Sequence, residues 1–420
     1  MTGAWTQDSE DSMADTGAFA RTELAGADFQ GDPHKYYRQW REDGPVRHVQ
    51  LPAGFACWVV TGYEEGREAL ADPRLRKDSS RFHEVLRRQS PDAAMTTMPD
   101  IAVHMLNSDP PDHTRLRKLV NKTFTSRRVA AMRPRIEEIT SGFLDEMDTR
   151  AEVDLLRAFA NPLPVAVICE LLGIPFEDRA DFQARTRLML SDVSSNTVEE
   201  RSTTAEVMTR YLQQLIEAKR GEPGEDLLSA LVRAHDDGDR LTERELVGMA
   251  FLLLVAGHET MVNLIGNGVH ALLRNPAQFE ALRADLSRVP NAVEEFLRYE
   301  GPVRWSTARY TAEPVRIGDT DIPAGEIVYV AVGAMNRDPD HFHDPETLLI
   351  DRDASGHLAF GHGIHNCVGT PLARLEADIA FTELLRRFPK LALADEAFTA
   401  QWRDGLLVHG LRELPVRLHG

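Results

Sequence analysis

Phe360-Gly361-His362-Gly363-Ile364-His365-Asn366-Cys367-Val368-Gly369 sets one cysteine on a glycine loop. Directly behind it, Thr370-Pro371-Leu372-Ala373-Arg374-Leu375-Glu376 opens an amphipathic helix. A thiolate at that junction feels the positive end of the helix dipole and nearby backbone N–H groups, which favour its charged form. Gly361, Gly363 and Gly369 permit positive φ and close approach of the backbone to a large, flat group. The pattern suits an axial metal ligand. Two blander readings stand beside it: a small buried hydrophobe, or zinc held with His357, His362 and His365. Structural zinc sites usually pair cysteines at Cys-x-x-Cys spacing, and the three cysteines here (Cys57, Cys169, Cys367) never do so.

Phe-Gly-x-Gly-x-His-x-Cys-x-Gly resembles the cysteine-ligand loop of the cytochrome P450 family, and every fixed position matches. The resemblance implies haem b with Cys367 as axial thiolate, cradled by Phe360, Gly361 and Gly369. Further motifs extend it from Asp109 to the C-terminus. Ala256-Gly257-His258-Glu259-Thr260 lies inside a long helical pattern. Gly and Thr are poor mid-helix residues, and a threonine hydroxyl there takes up the i−4 carbonyl, here that of Ala256. In the family this opens a groove for dioxygen, and Glu259 and Thr260 resemble its acid–alcohol proton relay. Asp109-Pro110-Pro111-Asp112-His113-Thr114-Arg115-Leu116-Arg117 puts His113 and Arg117 on one helix face; the resemblance makes them ligands of a haem propionate, with Arg309, His357 and His365. Glu295-Phe296-Leu297-Arg298 resembles the family's buried structural ion pair, with Arg352 as third member. Leu348 stands where relatives usually have Phe, and Thr370 and Asn366 are further departures.

The 420 residues carry 48 basic and 66 acidic side chains, a net charge of −18. That balance argues against nucleic acid and against anionic membranes as partners. An odd, low cysteine count suits a reducing cytoplasm. Residues 1–32 are polar and acidic, lack the basic start and apolar run of a signal peptide, and read as a flexible tail before one domain over residues 33–420. Met249–Ala256 is too short an apolar run to span a bilayer.

Periodicity predicts a mainly α fold with a small β region. Helices are expected over residues 128–150, 163–172, 205–220 and 225–234. Thr242-Glu243-Arg244-Glu245 is a capping-box signature for a long helix to Arg274, and another helix is expected from Pro371 to Phe388. Residues 82–107 read as a long loop. Strands are expected at 46–60, 315–322, 327–330, 406–408 and 414–416.

The resemblance implies a single-domain, bacterial-type, cytoplasmic and monomeric haem-thiolate monooxygenase. Such an enzyme inserts one oxygen atom of O2 into a C–H bond or epoxidises a double bond. Electrons would come from NAD(P)H through ferredoxin reductase and ferredoxin, docking on a basic patch of Arg115, Lys118, Lys122, Arg127, Arg128 and Arg374. Pocket walls are expected at residues 82–107, 182–198, 303–307 and 406–408 and at Ala256. They suit a bulky, mostly apolar secondary metabolite: a macrolide or other polyketide, a terpenoid or a steroid. A haem-thiolate peroxygenase or isomerase, or a non-enzymatic haem sensor, are the alternatives; neither needs an intact Glu259–Thr260 pair.

Overall fold

The computed structural model describes Phe29 and residues 31–51, 54–90, 100–174, 198–236 and 241–420. In chain order the helices are α1 (Pro33–Glu42), α2 (Tyr63–Ala71), α3 (Ser79–Gln89), α4 (Asp112–Thr123), α5 (Ser126–Ala131), α6 (Arg133–Asp148), α7 (Pro162–Leu172), α8 (Val198–Gly221), α9 (Leu227–Asp236), α10 (Glu243–Leu273), α11 (Pro276–Ala284), α12 (Val289–Glu300), α13 (Val332–Met335) and α14 (Thr370–Arg387). The chain is mainly helical, as its periodicity implies.

The capping box of α10 forms as its sequence requires: the Thr242 hydroxyl accepts from Glu245 N at 3.2 Å, and the Glu245 carboxylate accepts from Thr242 N at 2.8 Å. Buried positions run all round α10 rather than along one stripe, which marks a helix enclosed by protein. It is long and apolar enough to cross a membrane by length and composition, yet it packs against α7, α12 and α14 as the central rod of the core.

Ten short strands are described: β1 (Val46–Gln50), β2 (Ala56–Val60), β3 (Leu75–Arg76), β4 (Glu152–Asp154), β5 (Arg309–Thr311), β6 (Val315–Ile317), β7 (Thr320–Ile322), β8 (Ile327–Val330), β9 (Ala392–Leu393) and β10 (Pro415–Arg417). The largest sheet has the order β1-β2-β8-β5-β3. Its parallel pair, β2 with β8, sets Trp58 opposite Val328. This sheet delivers Arg309 and the chain after β3 to one edge of the helical body.

Four expectations change. The supposed loop over residues 82–107 begins as helix α3, capped by Asp78, whose carboxylate accepts from Arg81 N at 3.0 Å; residues 91–99 lie outside the described chain. The helix expected over 128–150 breaks at Met132, because Pro134 has no N–H to continue α5 and instead opens α6. Residues 315–322 form a hairpin that turns at Gly318, with φ of 55°. Residues 406–408 form only an isolated bridge, Val408 to Val303. Of the tail, residues 1–28 and 30 lie outside the described chain, but Phe29 is fully buried against Tyr36, Tyr37 and Trp40.

One ion-pair network aims the cysteine loop. Glu295 and Arg298 on α12 have no exposed side-chain surface and pair through two bonds of 2.7 and 2.8 Å. Arg352 Nε joins Glu295 at 3.2 Å, and Leu349 N donates to the same oxygen at 2.9 Å. Arg298 then donates to the carbonyls of Asn336 (3.0 Å) and Pro345 (2.8 Å), and Asn336 Oδ1 accepts from Leu358 N at 2.7 Å. Leu348 is buried beside them and fills its place. The meander between α13 and the cysteine loop thus hangs from α12.

Removing one partner of such a pair leaves a buried charge without its counter-charge. Arg298→Met is expected to cost about 3–5 kcal/mol, read as a lower urea midpoint of the holoprotein. Arg283→Met, which removes an exposed pair with Glu280, should leave the midpoint unchanged.

Candidate functional site

The cysteine loop is closed by its own backbone. Cys367 N donates to Phe360 O at 2.9 Å, and Asn366 Nδ2 donates to Phe360 O and Gly361 O at 3.3 and 3.2 Å. Asn366, a departure from the usual pattern, is therefore a clamp on the loop. Gly363 has φ of 73°, and a Cβ there would come within 2.8 Å of Leu70 O, so only glycine fits. Cys367 is accessible, whereas Cys57 and Cys169 are buried. Burial within the surrounding protein pushes the Cys367 thiol up; the Gly369 N–H, the Thr370 hydroxyl and N–H, and the Arg117 charge pull it back. The expected bias toward thiolate is thus present in the donors but outweighed by desolvation in the protein alone. Thr370, the second departure, adds a hydroxyl whose single proton can go to the Cys367 sulfur or to Cys367 O, 2.9 Å away.

On α10, Ala256 is exposed and Thr260 half-buried although the turns before and after them are buried. This accessible spot marks an internal space. The Thr260 hydroxyl donates to Ala256 O at 2.9 Å, as its mid-helix position predicts. Gly257 has a different reason: a Cβ would stand 3.0 Å from Ile168 on α7, so this glycine serves helix packing. The Glu259 carboxylate turns away from the helix and accepts from Arg403 Nη1 at 2.5 Å.

The third component is a buried basic cluster. His113 and His365 meet with ring centroids 4.4 Å apart, and neither nitrogen of His113 has a partner. Arg309 is 4% exposed, with Nε unpartnered. Lys77, which the sequence reading passed over, is also 4% exposed; its Nζ donates to Thr307 Oγ1 at 2.5 Å. Burial, then the neighbouring charges of Lys77, Arg309, His113 and Arg117, pushes His365 down to about 2. Burial holds Arg309 at about 10 and, with the Arg309 charge, brings Lys77 well below the usual lysine range. The imidazoles are neutral at pH 7 and burial disfavours the charge on Lys77, which leaves Arg117 and Arg309 as the lasting cations. The carboxylates that act on Arg309 are Asp72 and, more strongly, Asp109. Asp109 is itself occupied by the backbone N–H groups of Lys77 and Asp78 at 2.9–3.1 Å. Buried polar nitrogens left without partners, here Arg309 Nε and both of His113, are costly unless an outside group meets them. The two propionates of a haem can do so, and this basic set fits the group that the cysteine loop implies. Lys77 carries no local signal: beside Asp78 it reads as a solvated charge pair.

His357 does not join this cluster. Its Nδ1 accepts from Ala359 N at 3.2 Å and its Nε2 donates to Glu294 at 3.0 Å, leaving no ring nitrogen for a propionate. Glu294 also takes two bonds of 2.7 Å from Arg374. Burial alone would raise the Glu294 carboxyl, but Arg374 and His357 outweigh it and hold it at about 2. Arg374 then lies over the Phe360 ring at 5.1 Å. Arg115 is likewise taken, by Glu245 and Asp112. Of the expected basic patch, Lys118, Lys122 and Arg127 are exposed. A cleft of about 550 Å³ opens along the outer side of the loop, lined by Arg67, His341, His362, Asn366 and Arg374 among others. Of the expected pocket walls, Trp305 is buried away behind Tyr37, to whose hydroxyl its Nε1 donates at 2.8 Å, and residues 182–197 lie outside the described chain.

The chain has relatives among known proteins. The family model described as Cytochrome P450 matches residues 181–397. The chain is 51% identical over 391 residues to Cytochrome P450 107B1 of Saccharopolyspora erythraea, covering 93% of this chain and 96% of that protein. It is 45% identical over 404 residues to the 6-deoxyerythronolide B hydroxylase of the same organism, covering 95% and 99%. The tirandamycin C-bound P450 monooxygenase TamI superposes with a TM-score of 0.87 at 48% identity, covering 94% of this chain and 99% of that one.

If Lys77 holds a carboxylate of the cofactor, Lys77→Met should quicken haem loss to excess apomyoglobin by about tenfold, the worth of one charge-assisted bond. Protein reconstituted with the dimethyl ester of haem should lose it at the same rate with or without Lys77. An unchanged rate for ordinary haem would limit Lys77 to its bond with Thr307.

Proposed function

The chain belongs to the cytochrome P450 family and is a monooxygenase; we propose that Cys367 holds haem b and that the enzyme oxidises a macrolide or another bulky, mostly apolar polyketide. The observation that carries this reading is a buried basic cluster, with Arg309 Nε and both nitrogens of His113 unpartnered, beside a glycine-cradled cysteine. Its substrate part rests on the likeness to the 6-deoxyerythronolide B hydroxylase and to TamI with bound tirandamycin C.

When bound, the haem supplies an iron that takes up and activates O2, with electron density donated by the thiolate. The protein's residues do the rest. Gly369 N–H and the Thr370 hydroxyl temper the charge on the Cys367 sulfur. Arg117, Arg309 and Lys77 would hold the two propionates, with the neutral rings of His113 and His365 as hydrogen-bonding neighbours. Ala256 leaves open space beside Thr260. The Thr260 hydroxyl, anchored on Ala256 O, holds a proton at Oγ1 beside that space, and Glu259 replenishes it from the Arg403 side. His357 takes a structural role through Glu294.

Electrons are assigned to NAD(P)H through ferredoxin reductase and ferredoxin, with the enzyme a cytoplasmic monomer. The acidic carrier would dock on the cysteine-loop side, where Lys118 and Arg127 are exposed and His362 lines the cleft. Arg115 and Arg374 contribute little to steering, since Glu245 and Glu294 neutralise them.

The reduced CO complex should show the red-shifted Soret band of thiolate-ligated haem, and Cys367→Ala should lose it. Thr260→Ala should keep that band and the binding shift of a macrolactone, yet divert reducing equivalents to peroxide. Product formed per NAD(P)H consumed is the measure. Unchanged coupling would favour the peroxygenase alternative.

Ferredoxin-dependent reduction of the haem should slow several-fold in Lys118→Glu and Arg127→Glu at low salt, with the difference vanishing as ionic strength rises. Stopped-flow rates that ignore both charge reversal and salt would remove the docking surface from this face.

A further inference from the structure

Arg403 is held as firmly as the acid it touches. Its N donates to Gly410 O at 2.8 Å and its Nε to Leu411 O at 3.1 Å. These bonds close a hairpin over residues 401–412, in which Trp402 pairs with Leu411 and Arg412 N donates to Gln401 O at 2.8 Å. The far part of the same hairpin lies on the segment after α12: Arg304 N donates to Leu407 O at 2.8 Å, and His409 N to Pro302 O at 2.9 Å. Leu407 itself is 40% exposed, a rare accessible large hydrophobe in the described chain. One braced piece thus carries both an accessible leucine and a guanidinium. That guanidinium meets Glu259 where a polar path reaches the surface, since the Arg403 side chain is 28% exposed and that of Glu259 11%. One turn further along α10, the buried amide of Asn263 faces the same hairpin with neither polar atom bonded.

We propose that Arg403 is a positioning residue for proton delivery: it fixes Glu259 at the surface end of the path to Thr260 and ties that position to the hairpin that also presents Leu407. This rests on the reading of Glu259 as the proton source. An arginine fork suits the task, because its second nitrogen stays anchored on Leu411 O while Nη1 holds the carboxylate. A free glutamate would sample several rotamers, and a misplacement of about 1 Å is enough to slow a proton transfer severalfold or more.

The test needs no organic substrate. The holoenzyme is supplied with ferredoxin, its reductase and NADH, and O2 uptake is followed in H2O and D2O. Each O2 takes two electrons from one NADH and two protons to give hydrogen peroxide, or four of each, from two NADH, to give two waters. Arg403→Gln and Glu259→Gln should each slow uptake by roughly tenfold with a larger D2O effect. The double variant should be no slower than either single one, and Arg403→Lys should recover part of the rate. Wild-type uptake in Arg403→Gln, or losses that multiply in the double variant, would overturn the proposal. If Glu259→Gln alone is silent, the proton-source reading falls instead. Should Arg403→Gln fail to hold haem, judged by its CO band, Glu259→Asp withdraws the carboxylate and leaves the hairpin intact. The same slowing there supports the proposal, and normal uptake with a normal D2O effect refutes it.

Discussion

Glu295 is a carboxylate without exposed surface, and the chain from Asn336 to Leu358 is suspended from it. Burying that charge is tolerable only because Arg298, Arg352 and a backbone N–H saturate it, and each of these partners brings a different piece of the meander with it. Arg298 spends its remaining donors on Asn336, Pro345 and Thr347, and Arg352 on His343, Asp344 and Thr347. Asp344 accepts a left-handed φ of 47° within this arrangement. The cysteine loop begins two residues beyond Leu358. Its aim is therefore set by an electrostatic knot on α12 rather than by the loop's own glycines, which only let the chain follow.

Charge is sorted by depth in this molecule. The surface is strongly acidic, with a net of −18 for the whole chain, while the interior edge beside the cysteine is positive. Inside, Arg309 Nε and both nitrogens of His113 have no hydrogen-bond partner, whereas Arg115, Arg374 and Arg403 are each matched to a glutamate. The contrast separates basic residues that organise protein from those that await something else.

The features legible in the sequence are those written in consecutive residues. The cysteine loop, the capping box of α10 and the Thr260-to-Ala256 bond all depend on neighbours within four to ten positions, and local chemistry gave each of them away. Lys77, Arg115, Arg374 and Arg403 were opaque because their meanings lie 230, 130, 80 and 144 residues off, at Thr307, Glu245, Glu294 and Glu259. His357 was misassigned for the same reason: Glu294, which claims it, sits 63 positions upstream. Helix α3 was missed because its apolar positions are few and its cap, Asp78, resembles any polar turn. Family resemblance supplied roles for residues, but only packing decides which charge is already answered.

The unpartnered nitrogens near Lys77 have a consequence for how the protein matures. Until a partner arrives, the folded state carries unsatisfied buried polar groups, and on the proposed reading the polypeptide by itself should be less stable than its loaded form. The grip on the cofactor would then divide into two separable halves, one on the metal and one on the carboxylates. A metal-free porphyrin would satisfy the second half alone, and would shore up the edge formed by β3, β5 and α4 while leaving the cysteine loop slack.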